Sequence, residues 1–426
     1  MEEGKDGGPS GSVLSPLLFN FFVNDISSST DVDNSYADDF HGASSHVAPV
    51  DIAADLETAV VELSDQAKDH GLSLSAPKST VTLFTPWNKE FGRLPEVKLG
   101  DDVVPQVNNP KLLGVTLDPT FSFSAHAIAI ARRTGSSTNV IRALSDSNFG
   151  HDKECLTATF KALVRPLLDY AAPVIYPNYS ATSIRRLQLV QNKCLRLITG
   201  CHVNASVDHL HSESGVLPVG QHMRLLSGQY LARALQPGHV SHSIVTLPSG
   251  RRRMKETLQS KCWDLVEPHL ENGVIPPSKY KTVISNIHTD LVGETMRNYE
   301  DNRVLNSAAP EVHDDEKSLP RSVRSTLSQL RSGFCAKLRD YQHHILRKTD
   351  DDICPDCRTH PASTNHLFSC PTHPTNLTTK ALWERPREAT AHISKFQGFN
   401  DLPAVGPPPP PPRRRQRRQP PPEPPP

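Results

Sequence analysis

The sequence predicts an α+β protein: strands confined to its first hundred or so residues, a mostly helical middle, a small metal-held segment and a disordered tail. Three observations predict it. Tyr36-Ala37-Asp38-Asp39 is short enough to be the tip of a β-hairpin, apolar residues then recur at helical spacing, and Cys354, Cys357, His366 and Cys370 form a Cys-x2-Cys-x8-His-x3-Cys frame. At 426 residues the chain has room for two or three domains. Hydrophobic residues are only 36% and prolines number 38, so part of the chain is expected to stay outside any core. Net charge is zero but uneven: residues 1–65 hold thirteen Asp and Glu against one base, Lys5, and the last twenty residues hold five arginines. The acidic start does not suit a nucleic-acid face, whereas the basic tail does. With no secretory signal and no apolar run of membrane-spanning length, the expected location is intracellular, nucleus or cytoplasm. Five of the eight cysteines are scattered, which predicts free thiols and one metal cluster rather than a disulfide framework.

The elements follow in order. Gly7 to Gly11 is a backbone-permissive loop. Ser15 can cap a helix with Pro16 at its first position, and Leu17, Leu18, Phe19, Phe21, Phe22 and Val23 predict that this helix is largely buried. The adjacent carboxylates of Asp38 and Asp39 repel each other, so they belong either to a solvated turn or to a metal site. Ile52, Leu56, Val60, Leu63 and Ala67 keep helical spacing, with Gly71 as the stop. "LSLSAPKSTVTLF" predicts a strand, with Lys78 in its first half.

The run Gly7-x-Pro9-Ser10-Gly11-Ser12, Leu14-Ser15-Pro16-Leu17-Leu18-Phe19-Asn20, then Tyr36-Ala37-Asp38-Asp39, a helix, and Gly71-Leu72 leading to Lys78-Ser79 resembles a reverse transcriptase of the non-LTR (LINE-like) retrotransposon type. Order, spacing and residue types agree up to "KLLGVTLD", which ends at Asp118 and resembles the segment closing the polymerase palm. The resemblance implies a partial palm over 1–118 and RNA-directed DNA polymerase chemistry, with an RNA template, a DNA primer and deoxynucleotides as partners. It implies two Mg2+ ions, which in such enzymes stabilise attacking and leaving oxygens and take oxygen ligands. Asp38 is then the metal ligand proper and Asp39 the second carboxylate. Tyr36 flanks the primer end, while Gly7, Pro9, Ser10 and Gly11 shape the loop facing template and nucleotide. Lys78 matches a lysine assisting the leaving pyrophosphate; a solvated lysine at a strand edge is the other reading.

Two departures qualify the match. The family's metal site also uses an aspartate on an earlier palm strand, whereas here Met1 stands six residues before Gly7. Ser10 stands where the family usually has glutamine. The expectation is therefore a fragment without fingers or first catalytic aspartate, inactive alone.

From Phe121 the pattern turns helical, over a thumb-like region at 119–235. Leu156, Phe160, Leu163, Val164 and Leu167 predict a core-facing helix interrupted at Pro166, and Ser180 to Gly200 brackets a second. Both segments resemble stretches following the palm in these elements. Arg185, Arg186, Lys193 and Arg196 are either a solvated face or contacts to template–primer phosphates. Residues 236–316 read as a poorly defined linker, with the basic run "SGRRRMKE" in a loop and no acidic constellation suited to RNase H chemistry.

Residues 317–380 read as one helix, with Leu327, Leu330, Leu338 and Tyr341 on a side, before a zinc knuckle. Three thiolates and an imidazole close a tetrahedral shell, so the Zn2+ is expected to be structural, with His360 and His373 as lesser candidates. The helix also resembles the segment before the terminal zinc knuckle of these elements. Residues 381–426 read as a disordered Pro/Arg-rich tail. Its Arg413, Arg414, Arg415, Arg417 and Arg418 bind RNA phosphates, direct nuclear import, or are unselected read-through, the reading favoured because nothing before them looks like a built linker. The alternative function is a non-catalytic nucleic-acid-binding protein using thumb, zinc knuckle and tail.

Overall fold

The structure, a computed structural model, describes residues 13–28, 34–36, 39–90, 93, 96–146, 150–246, 257–271 and 273–403. Its fold is mixed and mainly helical, with three two-stranded antiparallel sheets among the described residues. The chain divides into two compact units, one of residues 1–128 with 178–180 and one of 129–177 with 181–426.

In the first unit, α1 (Ser15–Ser28) precedes β1 (Asn34–Tyr36) and β2 (Asp39–His41), which pair with Tyr36 opposite Asp39. The predicted hairpin is present. Helix α2 (Pro49–Asp69) starts with Pro49 in its first turn and stops before Gly71, whose φ of +70° is the left-handed conformation that closes a helix. Its Ile52, Ala53 and Leu56 pack with Val81, Leu83 and Val97 into a small core. Two short hairpins follow, β3 (Lys98–Leu99) with β4 (Asp102–Val103) and β5 (Lys111–Leu112) with β6 (Val115–Thr116).

Two expectations fail here. Helix α1 is not largely buried: Val23 and Ile26 are, but Leu17, Leu18, Phe21 and Phe22 are 45 to 70% exposed. The small core gathered around α2 is filled by that helix and the 81–97 segment, leaving most of the apolar face of α1 outside it. The predicted strand at 72–84 is instead a turn at Ser75–Lys78 followed by one isolated parallel bridge, Val81 with Gln106. Pro77 lacks the amide proton that a strand would donate. The Ser75 carbonyl is taken by the amides of Lys78 and Ser79 and by the Ser79 hydroxyl.

In the second unit, α3 (Ser124–Leu144, of which 129 onward belongs here) leads to α4 (Lys153–Leu163), α5 (Arg165–Asp169) and α6 (Ala172–Ile175). The break at Pro166 is where it was expected, and a second falls at Ala171, held at φ +56°. Leu156, Phe160 and Val164 are fully buried, while Leu163 points outward. Helix α7 (Ala181–Thr199) ends at Gly200 with φ +72°. Helices α8 (Val207–Ser214) and α9 (Val219–Ala234) follow, then α10 (His242–Thr246), α11 (Leu258–Val266) and α12 (Tyr280–Arg297). The span 236–316 is thus not merely a connection. Leu225, Leu231, Cys262, Val266, Val283, Ile287 and Leu291 bury one another in a core shared by α9, α11 and α12. The run at 249–256 lies outside the described residues.

The expected single helix before the cysteines is two, α13 (Arg321–Ser332) and α14 (Arg339–His344). Gly333 at φ +74° ends the first in a left-handed cap. Leu327, Leu330, Leu338 and Tyr341 still face one core. Residues 381–402 also belong to that core, contrary to the expected tail. Helices α15 (Ala381–Glu384) and α16 (Pro386–Ile393) place Trp383, Ile393, Phe396 and Phe399 against α13 and the cysteine segment, nearly without exposure. Four large apolar side chains in about twenty residues supply the burial that proline-rich composition alone would not suggest. The tail arginines from Arg413 onward lie outside the described residues.

Candidate functional site

The hairpin brings Tyr36 and Asp39, two of the polymerase-like residues, opposite each other in its antiparallel register. Tyr36 and Asp39 are both exposed. Asp38, Gly7, Pro9, Ser10 and Gly11 lie outside the described residues. Lys78 sits exposed in the turn after Ser75, and among the described residues no ion pair or hydrogen bond joins it to Asp39.

The C-terminal cluster is built more completely. An antiparallel bridge joins Ile353 and Pro361, and the Cys354 amide donates to the His360 carbonyl at 2.8 Å. The Arg358 amide returns to the Cys354 carbonyl at 2.8 Å, with Arg358 itself at φ +59°. This tight knuckle holds Cys354 and Cys357. His366 opens a single 3-10 turn, His366–Phe368, and Cys370 follows it. One ligand atom from each of these four residues lies within 4.8 Å of the others. A tetrahedral zinc with bonds of about 2.3 Å sets sulfurs roughly 3.8 Å apart, so the donor set and its spread suit that ion. The Cys357 sulfur lies 3.3 Å from His366 Nε2 and accepts a hydrogen bond from the Thr359 hydroxyl at 3.2 Å. Burial raises its pKa, but the Thr359 hydroxyl and the Thr359 and His360 amides outweigh this and bring it down to about 5. Burial pushes Cys354 up to about 11. His360 stacks on His366 without joining the four, and His373 faces Asp356 and Phe396.

The knuckle is braced from behind. His392 on α16 bonds the Leu367 carbonyl at 2.8 Å, fixing the 3-10 turn. Arg331 on α13 donates to the Leu382 carbonyl and to Glu213 of α8, and also pairs with Glu316. Lys153 on α4 reaches the same two carboxylates at 2.9 and 3.1 Å. Arg324 grips Glu154 through two bonds of 2.6 and 2.7 Å. Burial alone would raise the pKa of Glu213, but Arg331 and Lys153 hold it down at about 2. This network was not read from the sequence. The signal for it was the seven-residue spacing of Arg324 and Arg331, on the same helix face as Val323, Leu327 and Leu330.

Of the four bases singled out on α7, Arg185 and Lys193 are exposed and Arg186 is half-buried. Arg196 donates to the carbonyls of Val203 and Ala205, so its guanidinium serves the fold. Elsewhere, the half-buried Asp340 and Asp352 and the exposed His344 also approach one another. Among the described residues no helix is long and apolar enough to cross a membrane.

Comparison with known proteins gives the hairpin its context. Residues 3–117 match the family described as reverse transcriptase (RNA-dependent DNA polymerase). Over 231 residues the chain is 27% identical to the probable RNA-directed DNA polymerase from transposon X-element of Drosophila melanogaster, covering 53% of this chain and 25% of the relative. It is 22% identical over 236 residues to the RNA-directed DNA polymerase from mobile element jockey of the same organism, again covering 53% and 25%. The probable polymerase from transposon BS is 25% identical over 236 residues, covering 53% and 26%. The chain thus spans about a quarter of the length of these relatives. No solved structure matches it. The hairpin at Tyr36–Asp39 falls inside the matched span, and these likenesses support reading the chain as a fragment similar to reverse transcriptases of the non-LTR, LINE-like retrotransposon type.

Proposed function

We propose that the chain contributes the hairpin-bearing palm portion and the following helical region of a retrotransposon RNA-directed DNA polymerase, acting on an RNA template, a DNA primer and deoxynucleotides. The observation that carries this reading is the hairpin register setting Asp39 opposite Tyr36 within the span matched to reverse transcriptases. Asp38 and Asp39 offer the hard oxygen donors that suit Mg2+, which when bound supplies charge stabilisation for phosphoryl transfer. Tyr36 supports the primer end, the Gly7, Pro9, Ser10 and Gly11 loop faces template and nucleotide, and Lys78 is the cation for the leaving group. Two carboxylates on one hairpin do not complete a two-metal shell. Polymerisation therefore calls for at least one further carboxylate beside Asp38 and Asp39.

In the same proposal Cys354, Cys357, His366 and Cys370 hold one structural Zn2+ and stabilise the C-terminal part of the second unit. A non-catalytic nucleic-acid-binding role is the second reading, favoured by the exposed Arg185 and Lys193 on α7 within a second unit that builds its own cores. Both readings require nucleic-acid binding. The test is equilibrium binding of the full chain to single-stranded RNA and to a primer–template duplex across a salt series. Affinity that falls roughly tenfold or more from low to physiological salt is expected, as phosphate contacts release counterions. Absence of binding to either at low salt would overturn both readings.

A further inference from the structure

Helices α6, α9 and α12 leave a cleft of about 580 Å³ inside the second unit, outside residues 3–117 that match the reverse transcriptase family. Its size is that of an ordinary small-ligand site. Leu226 and Ile284 give it apolar walls, Tyr230 and Tyr280 bring two phenol rings to it from different helices, and Arg233 and Lys281 line it as exposed cations. Tyr230 is held in place: its hydroxyl bonds Ser241 at 2.7 Å and its ring meets His239 edge-on. Tyr280 packs partly against the core shared by α9, α11 and α12. Among the described residues neither Arg233 nor Lys281 forms an ion pair, so both charges are available to a ligand. Asp169 also lines the cleft, but its carboxylate is neutralised by Arg165 Nε at 3.3 Å and faces His222 Nδ1 at 2.8 Å.

A cleft with rigid aromatic rings, apolar walls and two unpaired cations suits a ligand that is aromatic and anionic at once. We propose that this cleft takes one unpaired nucleotide of a single strand of nucleic acid, its base against Tyr230 and Tyr280 and its phosphate on Arg233 and Lys281. Stacking on aromatic side chains with cations tracking the backbone is how single strands are bound without regard to sequence. A paired base has no free face to offer, so the cleft discriminates single strand from duplex. The proposal rests on the reading of the chain as a nucleic-acid-handling protein and adds to it a site outside residues 3–117.

The experiment measures binding of the full chain to a labelled single-stranded RNA and to a matched duplex, with Arg233→Gln/Lys281→Gln and Tyr280→Ala variants. The double variant, on the exposed rim, should weaken single-strand binding about tenfold and flatten its log–log salt slope by roughly 1.4, the share of two phosphates, while duplex binding holds. Tyr280→Ala should lose about tenfold with little change in slope. Photocrosslinking of 5-iodouridine RNA should mark peptides containing Tyr230 or Tyr280. If the wild-type chain binds single strands and the double variant binds them equally well, the cleft proposal is wrong and the family reading stands. If the wild type binds neither nucleic acid, the family reading fails and takes the cleft with it. Crosslinks confined to other peptides, with uridine monophosphate protecting the cleft, would make it a free-nucleotide site and overturn the strand assignment.

Discussion

Arg331, with no exposed surface, donates from Nη1 to Glu213 Oε1 at 2.9 Å and so ties α13, which leads to the cysteine knuckle, to α8. Lys153, Arg324, Glu316 and the partly exposed Glu154 complete the group, three cations against three carboxylates, so the charges balance there. Breaking such a group by removing one partner strands a buried charge, which typically costs about 3–5 kcal/mol. Arg331→Met should destabilise the second unit by that order in chemical denaturation, and Arg331→Met with Glu213→Gln should recover part of the loss. A single variant within about 1 kcal/mol of wild type would show that the pair contributes little.

Acid should act on the same pair. Glu213 is held at about 2, below its ordinary 4.5, so its contribution is fully present above pH 4.5 and disappears as pH falls toward 2. His209 and His211 are both pushed down by burial, His211 to about 4, so each also opposes folding as pH drops below 6.5. The stability difference between wild type and Glu213→Gln should be largest at neutral pH and narrow between pH 4.5 and 3. A difference constant over that range would contradict the assignment.

Metal analysis of the full chain should find one zinc, and Co2+ substitution should give a tetrahedral thiolate spectrum. Cys357→Ser and chelation should both remove the metal and lower the unfolding midpoint, because ligand convergence and the folding of 353–370 are linked. His360→Ala and His373→Ala should retain it. Zinc that survives Cys357→Ser would place the ion elsewhere.

Primer extension gives the sharpest functional readout. The 426 residues alone should leave a DNA primer unextended on an RNA template with Mg2+ or Mn2+, because the two carboxylates proposed for the site, Asp38 and Asp39, do not by themselves complete a two-metal shell. Extension above background that vanishes in Asp38→Ala would show that the chain completes its own metal shell.

Trp383 tests where the folded region ends. It is 1% exposed between α13 and α16, and Trp383→Ala should cost about 3–5 kcal/mol as a core truncation. A near-neutral result would return 381–402 to the status of a tail.

Much of this protein was legible in local pattern. A two-residue gap between Tyr36 and Asp39 sets a hairpin, Gly71 and Gly200 mark helix ends because glycine takes positive φ without strain, and the spacing of Cys354, Cys357, His366 and Cys370 brings together four side chains that could hold a metal ion. These features depend on neighbours in sequence or on bond geometry, so the chain determines them by itself. What covers an apolar face depends on residues far away. That is why Leu17, Leu18, Phe21 and Phe22 are exposed although their pattern is that of a core helix, while Trp383, Phe396 and Phe399 are buried although their surroundings read as a tail. The same holds for charge. Arg331 and Glu213 stand 118 positions apart, and only packing α13 against α8 and α4 removes water from both and makes their pairing decisive.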